Sequence, residues 1–335
     1  MMRSALVVRR VVRLVVRLAL GLAVTLALGL AVTLAVTLAL GLSSFQPALA
    51  RPAHRDGAAA QVEALEALCR DGARHWKGAC AGREVNGLCL PRSAQVGADG
   101  LARKRLQRSA ARARQAMAAF DQVLKTWQGG RMVSAIPEGH PDREGLLARV
   151  MVCVSAAHFS LLEKEFEAYL DLGLPPPLDL RPGDPERERA MMRTFKGWLQ
   201  DRLKAGELLV KRYADIVREV RLPLGPGKWL SGDTRVEVAA MVRAGQTYHD
   251  LYQALMSIPP PPAVMDAQAQ AAFREQLLVV SEPMRTKAKM HYELAIQRCG
   301  RLGLPATEPW LLLARRAVAA LGSSSPSPKA PPGRP

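Results

Sequence analysis

Three cysteines stand within 21 residues, Cys69, Cys80 and Cys89 in CRDGARHWKGACAGREVNGLC, and two more, Cys153 and Cys299, lie far downstream. In an oxidising compartment such thiols pair and persist. The glycines here predict turns and a break in the helical pattern, and a short-loop bridge fits them. Cys80–Cys89 is the first pairing to expect and Cys69–Cys80 the second, although spacing alone does not set connectivity. An odd total leaves one thiol over, and Cys153 or Cys299, each on an apolar helix face, reads as a buried small hydrophobe. Metal binding is the weaker chemistry. His75 lies between Cys69 and Cys80, but no C-x-x-C pair and no second clustered histidine accompanies it, so neither metal nor cofactor is expected.

Candidates for acid–base or nucleophilic work are few. His249 precedes Asp250, but adjacent helical residues point about 100° apart. His158 follows Cys153 by five residues, which does not bring both side chains to one point on a helix. H-E-x-x-H and G-x-S-x-G are absent, as are Gly-rich phosphate loops. Glu163, Glu165 and Glu167 alternate with Lys164 and read as a solvated face. No catalytic residue is expected.

The strongest charge signal is basic. Arg103, Lys104, Arg105, Arg108, Arg112 and Arg114 follow one another with no acid among them. On a helix, Arg105, Arg108 and Arg112 would form a strip able to contact an anionic envelope surface, or a plain solvated face.

The elements that would hold these residues are helices. Aromatic residues are only 5% of the 335 and apolar ones 49%, a balance that disfavours a sandwich or barrel. Leu106, Ala110, Ala113, Met117, Phe120, Leu124 and Trp127 alternate steps of four and three, predicting a helix from Leu101 closed by Gly129-Gly130. Further helices are expected from residue 61, in two stretches over 143–172, from about Glu186 to Val220, over 234–258 before Pro259–Pro262, over 266–280 and 284–301, and from about Glu308 to Leu321. LPLGPGKWLSGD separates two of them. No strand pattern is evident between 60 and 320, so the expected class is all-α.

The N-terminus sets the compartment. Residues 1–50 hold five arginines and no acid, and 18–42 form an uncharged run of 25 residues in which LALGLAVT repeats unchanged. Arginines, an apolar run and Ala48-Leu49-Ala50 are the parts of a secretory signal, here expanded, with cleavage before Arg51. The alternative is an uncleaved anchor, since a run of about 20 apolar residues can span a bilayer. In both cases the remainder is translocated, to the periplasm or to the periplasmic face of the inner membrane. Nucleic acid is thereby excluded as a natural partner although net charge is +17, or 42 − 30 = +12 without residues 1–50. Membrane contact is expected only if residues 18–42 are retained.

Within VEVAAMVRAGQTYHDLYQALMSIPPPP, Met241, Ala244, Gly245, Tyr248 and Tyr252 share a helix stripe, where a small glycine admits a neighbouring helix and the following tyrosine fills the space beside it. This matches the L-G-x-x-Y portion of a tetratricopeptide repeat, with Ala for Leu. With VCVSAAHFSLLEKEFEAYLDLGLPPPLDL (152–180), the Phe195/Trp198 helix, Tyr213-Ala214-Asp215-Ile216-Val217, Glu282-Pro283-Met284-x-x-Lys287-Ala288, Tyr292 and Trp310, it makes residues 69–321 resemble tetratricopeptide-like exported envelope proteins of gliding, predatory (myxobacterial-type) bacteria. The repeats are degenerate. The resemblance implies an α-solenoid of helical hairpins and a non-enzymatic interaction module binding other envelope proteins, with Gln246, His249 and Asp250 lining a groove for an extended peptide. The layout expected is a signal over 1–50, a Cys-containing segment over 51–100, hairpins over 101–222, a linker over 223–233, repeat-like helices over 234–322 and a disordered Ser/Pro tail over 323–335. The runner-up function is a basic protein binding peptidoglycan or anionic lipid through the 103–114 strip.

Overall fold

The computed structural model describes residues 55–127, 131–173, 185–219, 221–225, 228–260 and 266–323. The proposed signal or anchor over 1–50 and the tail over 324–335 lie outside them. The described chain is mostly helical: α1 (Arg55–Gly78), α2 (Ala110–Trp127), α3 (Arg131–Ala135), α4 (Arg143–Leu170), α5 (Pro185–Glu219), α6 (Thr234–Met256), α7 (Ala267–Arg301) and α8 (Pro309–Ser323). Two antiparallel hairpins interrupt the helices, β1 (Arg83–Val85) with β2 (Leu88–Leu90), and β3 (Arg221–Gly225) with β4 (Lys228–Ser231).

The hairpins correct the strand-free expectation. Asn86 (φ 47°) and Gly87 (φ 80°) make the tight turn that a two-residue hairpin requires, an Asn-Gly pair being the residues best able to adopt it. The second hairpin occupies 221–231, most of the segment expected as a linker over 223–233. Its Leu222, Leu224 and Leu230 pack on the core.

Helix boundaries also shift. The helix expected from Leu101 begins at Ala110. Residues before it run as a strap whose Leu106 and Ser109 amides donate to the Cys89 and Ala79 carbonyls at 3.0 and 2.8 Å. Conversely, α1 continues through Gly72 instead of breaking there. A Cβ at Gly72 would lie 2.7 Å from the Phe120 ring, so the missing side chain admits α2 against α1. Two expected pairs of stretches are single helices. α4 runs unbroken over 143–170, and α7 carries Pro283 inside it. The proline deprives only the Val279 carbonyl of its i+4 donor. Val279 is exposed, so water reaches that face.

The chain forms two compact units, with boundaries inside α5, α6 and α7. The larger comprises Pro52–Leu172, Ala205–Asp250 and Arg285–Pro335. Its first core cluster joins α1, α2 and α4 around Val62, Leu65, Phe120, Leu147, Val150 and Val154. A second gathers Leu88, Leu90, Phe166, Leu209, Tyr213 and Ala240. The other unit is described within Gly173–Lys204 and Leu251–Met284. There buried Arg202 donates to the Gly173 carbonyl and sits 5.6 Å over the Trp198 ring. α4 is long and apolar enough to cross a membrane by length and composition, yet half of its most apolar window is buried inside the fold.

Candidate functional site

Two polar constellations lie in the larger unit. The first is a cleft of about 260 Å³ whose walls include Trp76, Arg105, Leu106, Arg108, Lys164 and Glu167. The strap brings Arg105 and Arg108 to it. Arg108 donates to the Trp76 carbonyl (2.8 Å), Glu84 (3.1 Å), Glu167 (3.0 Å) and the Gly87 carbonyl, and stacks 4.0 Å over Trp76. Arg105 donates to Asp171 at 2.6 Å and to the Glu167 carbonyl at 3.1 Å, at the C-terminal end of α4 where a cation complements the helix dipole. Burial pushes the Glu167 carboxyl above the usual carboxylate range, against the opposing pull of Arg108.

The basic strip is therefore corrected. Its residues do not share one helix face, because the first six positions of interest precede α2. Arg105 and Arg108 are internal struts, and exposed Arg112, away from the cleft walls, donates to the Gly78 carbonyl at 2.6 Å. The acids also differ from the expected solvated face. Glu163 is buried against Arg243, Glu165 pairs with Arg212, and Glu167 pairs with Arg108.

The second constellation is enclosed. Arg243 on α6 has no solvent exposure. Its Nε donates to Glu163 Oε1 at 2.7 Å, Nη2 reaches Glu163 Oε2 and the Asn86 carbonyl, and Nη1 donates to Gln246 Oε1 at 2.6 Å. Phe166 and Trp310 lie 4.5 and 5.2 Å from the guanidinium, and the Tyr213 hydroxyl donates to Glu163 at 3.3 Å. Gln246 completes the chain by donating to the Asp99 carbonyl at 2.6 Å. Every donor direction of Arg243 is thus spent on the turn of the first hairpin, α4 or α6.

Gln246, His249 and Asp250 do not line an open groove. Gln246 and His249 are buried and Asp250 is half-buried. The reason is that α6 is packed on several sides: Glu163 and Tyr169 of α4, Gly206 of α5 and Tyr292 of α7 all meet it, leaving no polar face. Burial lowers the His249 pKa to about 4, against the pull of Asp250, and its Nδ1 lies 3.4 Å from the Tyr292 hydroxyl. Gly245 behaves as its place in the stripe predicts. A Cβ there would come 2.8 Å from the Tyr292 ring, and Tyr248 stacks beside it on His291 with centroids 5.7 Å apart.

Cys80 and Cys89 are bonded, with Cα atoms 5.3 Å apart, closing the first hairpin onto the end of α1. Cys69 bonds Cys153 across 84 residues, with Cα atoms 5.9 Å apart, which corrects both the alternative Cys69–Cys80 pairing and the free-thiol reading of Cys153. Cys299 is free and buried. Among the described residues no group of three or more His, Cys, Asp or Glu side chains could hold a metal. What sequence reasoning missed is the Glu163–Arg243 pair, whose partners stand 80 residues apart, and exposed Trp229, whose outward face only the hairpin register reveals.

No protein-family model, curated protein or solved structure matches the chain.

Proposed function

We infer that this chain is a non-enzymatic adaptor of the cell envelope, acting outside the cytoplasm and binding another protein through its helical surface. The observation that carries the reading is where the polar side chains are spent. The arginines and carboxylates that would nominate a reactive site are committed to internal struts, while large apolar side chains remain outside: Leu208 on α5, Met290 and Leu294 on α7, and Leu312 on α8. Met290 and Leu294 stand one helical turn apart and so share a face. The two cysteine pairs fit an oxidising, extracytoplasmic compartment, in line with the N-terminal segment. The close approach at Gly245 supports a degenerate tetratricopeptide-like hairpin between α6 and α7.

The test is site-specific photo-crosslinking in the source cell from position 294, with exposed Glu293 as a control on the same helix. A discrete adduct of fixed mass from position 294, lost in Met290→Glu, is expected. Absence of any adduct, with the protein abundant and oxidised, would refute the adaptor reading.

A further inference from the structure

Trp229 is exposed over 63% of its surface, the only tryptophan among the large exposed apolar side chains of the described residues. Its position follows from the pleat. Successive strand residues face opposite sides, and Leu222, Leu224 and Leu230 turn to the core formed with α4. Trp229, next to Leu230, must then face out, and the register pairs it with Pro223 on the neighbouring strand. The hairpin is held from behind, because the Asp233 amide donates to Ser155 Oγ at 3.1 Å, and a Cβ at Gly232 would meet the Met151 carbonyl at 2.8 Å. Val152, the neighbour of Met151, is exposed as well. Trp229 is thus a rigidly mounted indole with nothing of the larger unit over it.

Charge decides what covers it. Lys228 precedes the tryptophan, and Arg221, on the facing strand, is 41% exposed. Nearby anions are already engaged: Asp215 by Arg218, Glu219 by His158 at 3.6 Å, and Asp233 by the Arg235 amide at the start of α6. Glu237, 3.7 Å from Arg221, is buried and takes Arg298 at 2.6 Å. An outward indole beside uncompensated cations is the composition of a bilayer-interface contact, where the ring sits at headgroup depth and the cations meet lipid phosphates. The chain also carries an excess of twelve cations after residue 50, 42 − 30, and an N-terminal run suited to a bilayer.

We propose that the β3–β4 hairpin is a membrane-contact element that seats Trp229 in the interface of an anionic bilayer. This role goes beyond the adaptor reading and takes over the anionic-surface contact that the 103–114 strip does not present as a helix face. It is tested on purified oxidised protein, residues 51–335, by co-sedimentation with vesicles of phosphatidylglycerol and phosphatidylethanolamine, with phosphatidylcholine vesicles as control, while tryptophan emission is recorded. The expected result is partitioning onto the anionic vesicles with a blue shift, weakened by salt. Trp229→Ala should lower it roughly tenfold and Trp229→Tyr much less. Because the side chain is exposed, both variants should keep the parent's melting temperature, which is measured alongside. Background binding to anionic vesicles, equal binding to phosphatidylcholine, or unchanged binding of Trp229→Ala would each overturn the proposal. None of these outcomes bears on the crosslinking from position 294, so the two readings fail separately.

Discussion

Arg243 illustrates how a buried charge constrains a fold. Removing one partner strands the other in a low-dielectric interior, whereas replacing both with apolar groups of similar volume removes the problem. Glu163→Leu alone should therefore cost about 3–5 kcal/mol in chemical denaturation, and Glu163→Leu with Arg243→Met should recover a large part of that loss. A double variant no more stable than the single one would show the pair to be dispensable. Glycines offer a second residue-scale test. Gly245→Ala drives a methyl into the Tyr292 ring and should destabilise by about 1–3 kcal/mol. Gly197→Ala, with nothing within 4 Å of the added carbon inside α5, should instead stabilise by about 0.5–1 kcal/mol. Acidification tests the buried imidazoles. Burial holds His249 and His291 at pKa values of about 4, below the ordinary 6.5, so between these values the unfolded chain binds more protons than the fold. Their contribution is complete above pH 6.5 and falls on acidification towards 4, by about 1.4 kcal/mol per pH unit for each histidine. His249→Gln with His291→Gln should flatten that slope in denaturation curves taken across the window; an unchanged slope would assign it elsewhere.

At the scale of elements, the two disulfides act differently because they close loops of different length. Cys69–Cys153 ties α1 to α4 across 84 residues, so its removal should cost roughly 4–5 kcal/mol on loop entropy. Cys80–Cys89 spans nine residues and should cost roughly 2–3 kcal/mol. Paired Cys→Ala variants compared by urea denaturation give the order, and a larger loss from the short bridge would contradict it. Helix type and approximate extent were legible in the sequence, since periodicity of apolar residues reports a buried face directly: α5, α6 and α8 begin or end within a few residues of their expected positions. What periodicity missed is instructive. It carried the 110–127 stripe back to Leu101, because Leu106 happens to fall in phase, although that leucine sits on the strap beside β2. It read Pro283 as a break, because a proline's cost is local and depends on whether the orphaned carbonyl is solvated. The hairpins were overlooked because strands of three to five residues are too short to establish a period of two. The Cys80–Cys89 bridge was readable from its short loop; Cys69–Cys153 was not, since a contact across 84 residues leaves no mark in local spacing.

For the whole molecule, the same arithmetic of charge reads differently once partners are assigned. Arginine is abundant, but Arg105, Arg108, Arg243 and Arg298 hold elements together: Arg298 at the end of α7 meets Glu237 at the start of α6 at 2.8 Å, each complementing its own helix dipole. Basicity in the sequence therefore overstates the free cationic surface. Candidate binding residues on α6 were misplaced for a related reason. Gln246 and His249 are polar, and polarity was taken as exposure, but a helix surrounded on several sides buries its polar residues with partners. Function then shifts to what the fold leaves outside, the apolar residues of α5, α7 and α8 and the mounted indole of Trp229. The central claim is an oxidised helical protein that works outside the cytoplasm with its reactive side chains turned inward. Mass spectrometry of unreduced peptides from protein alkylated in its native cells tests it most directly. The account predicts Cys69 linked to Cys153, Cys80 linked to Cys89, and Cys299 alkylated only after unfolding; all five cysteines recovered as alkylated free thiols would contradict it.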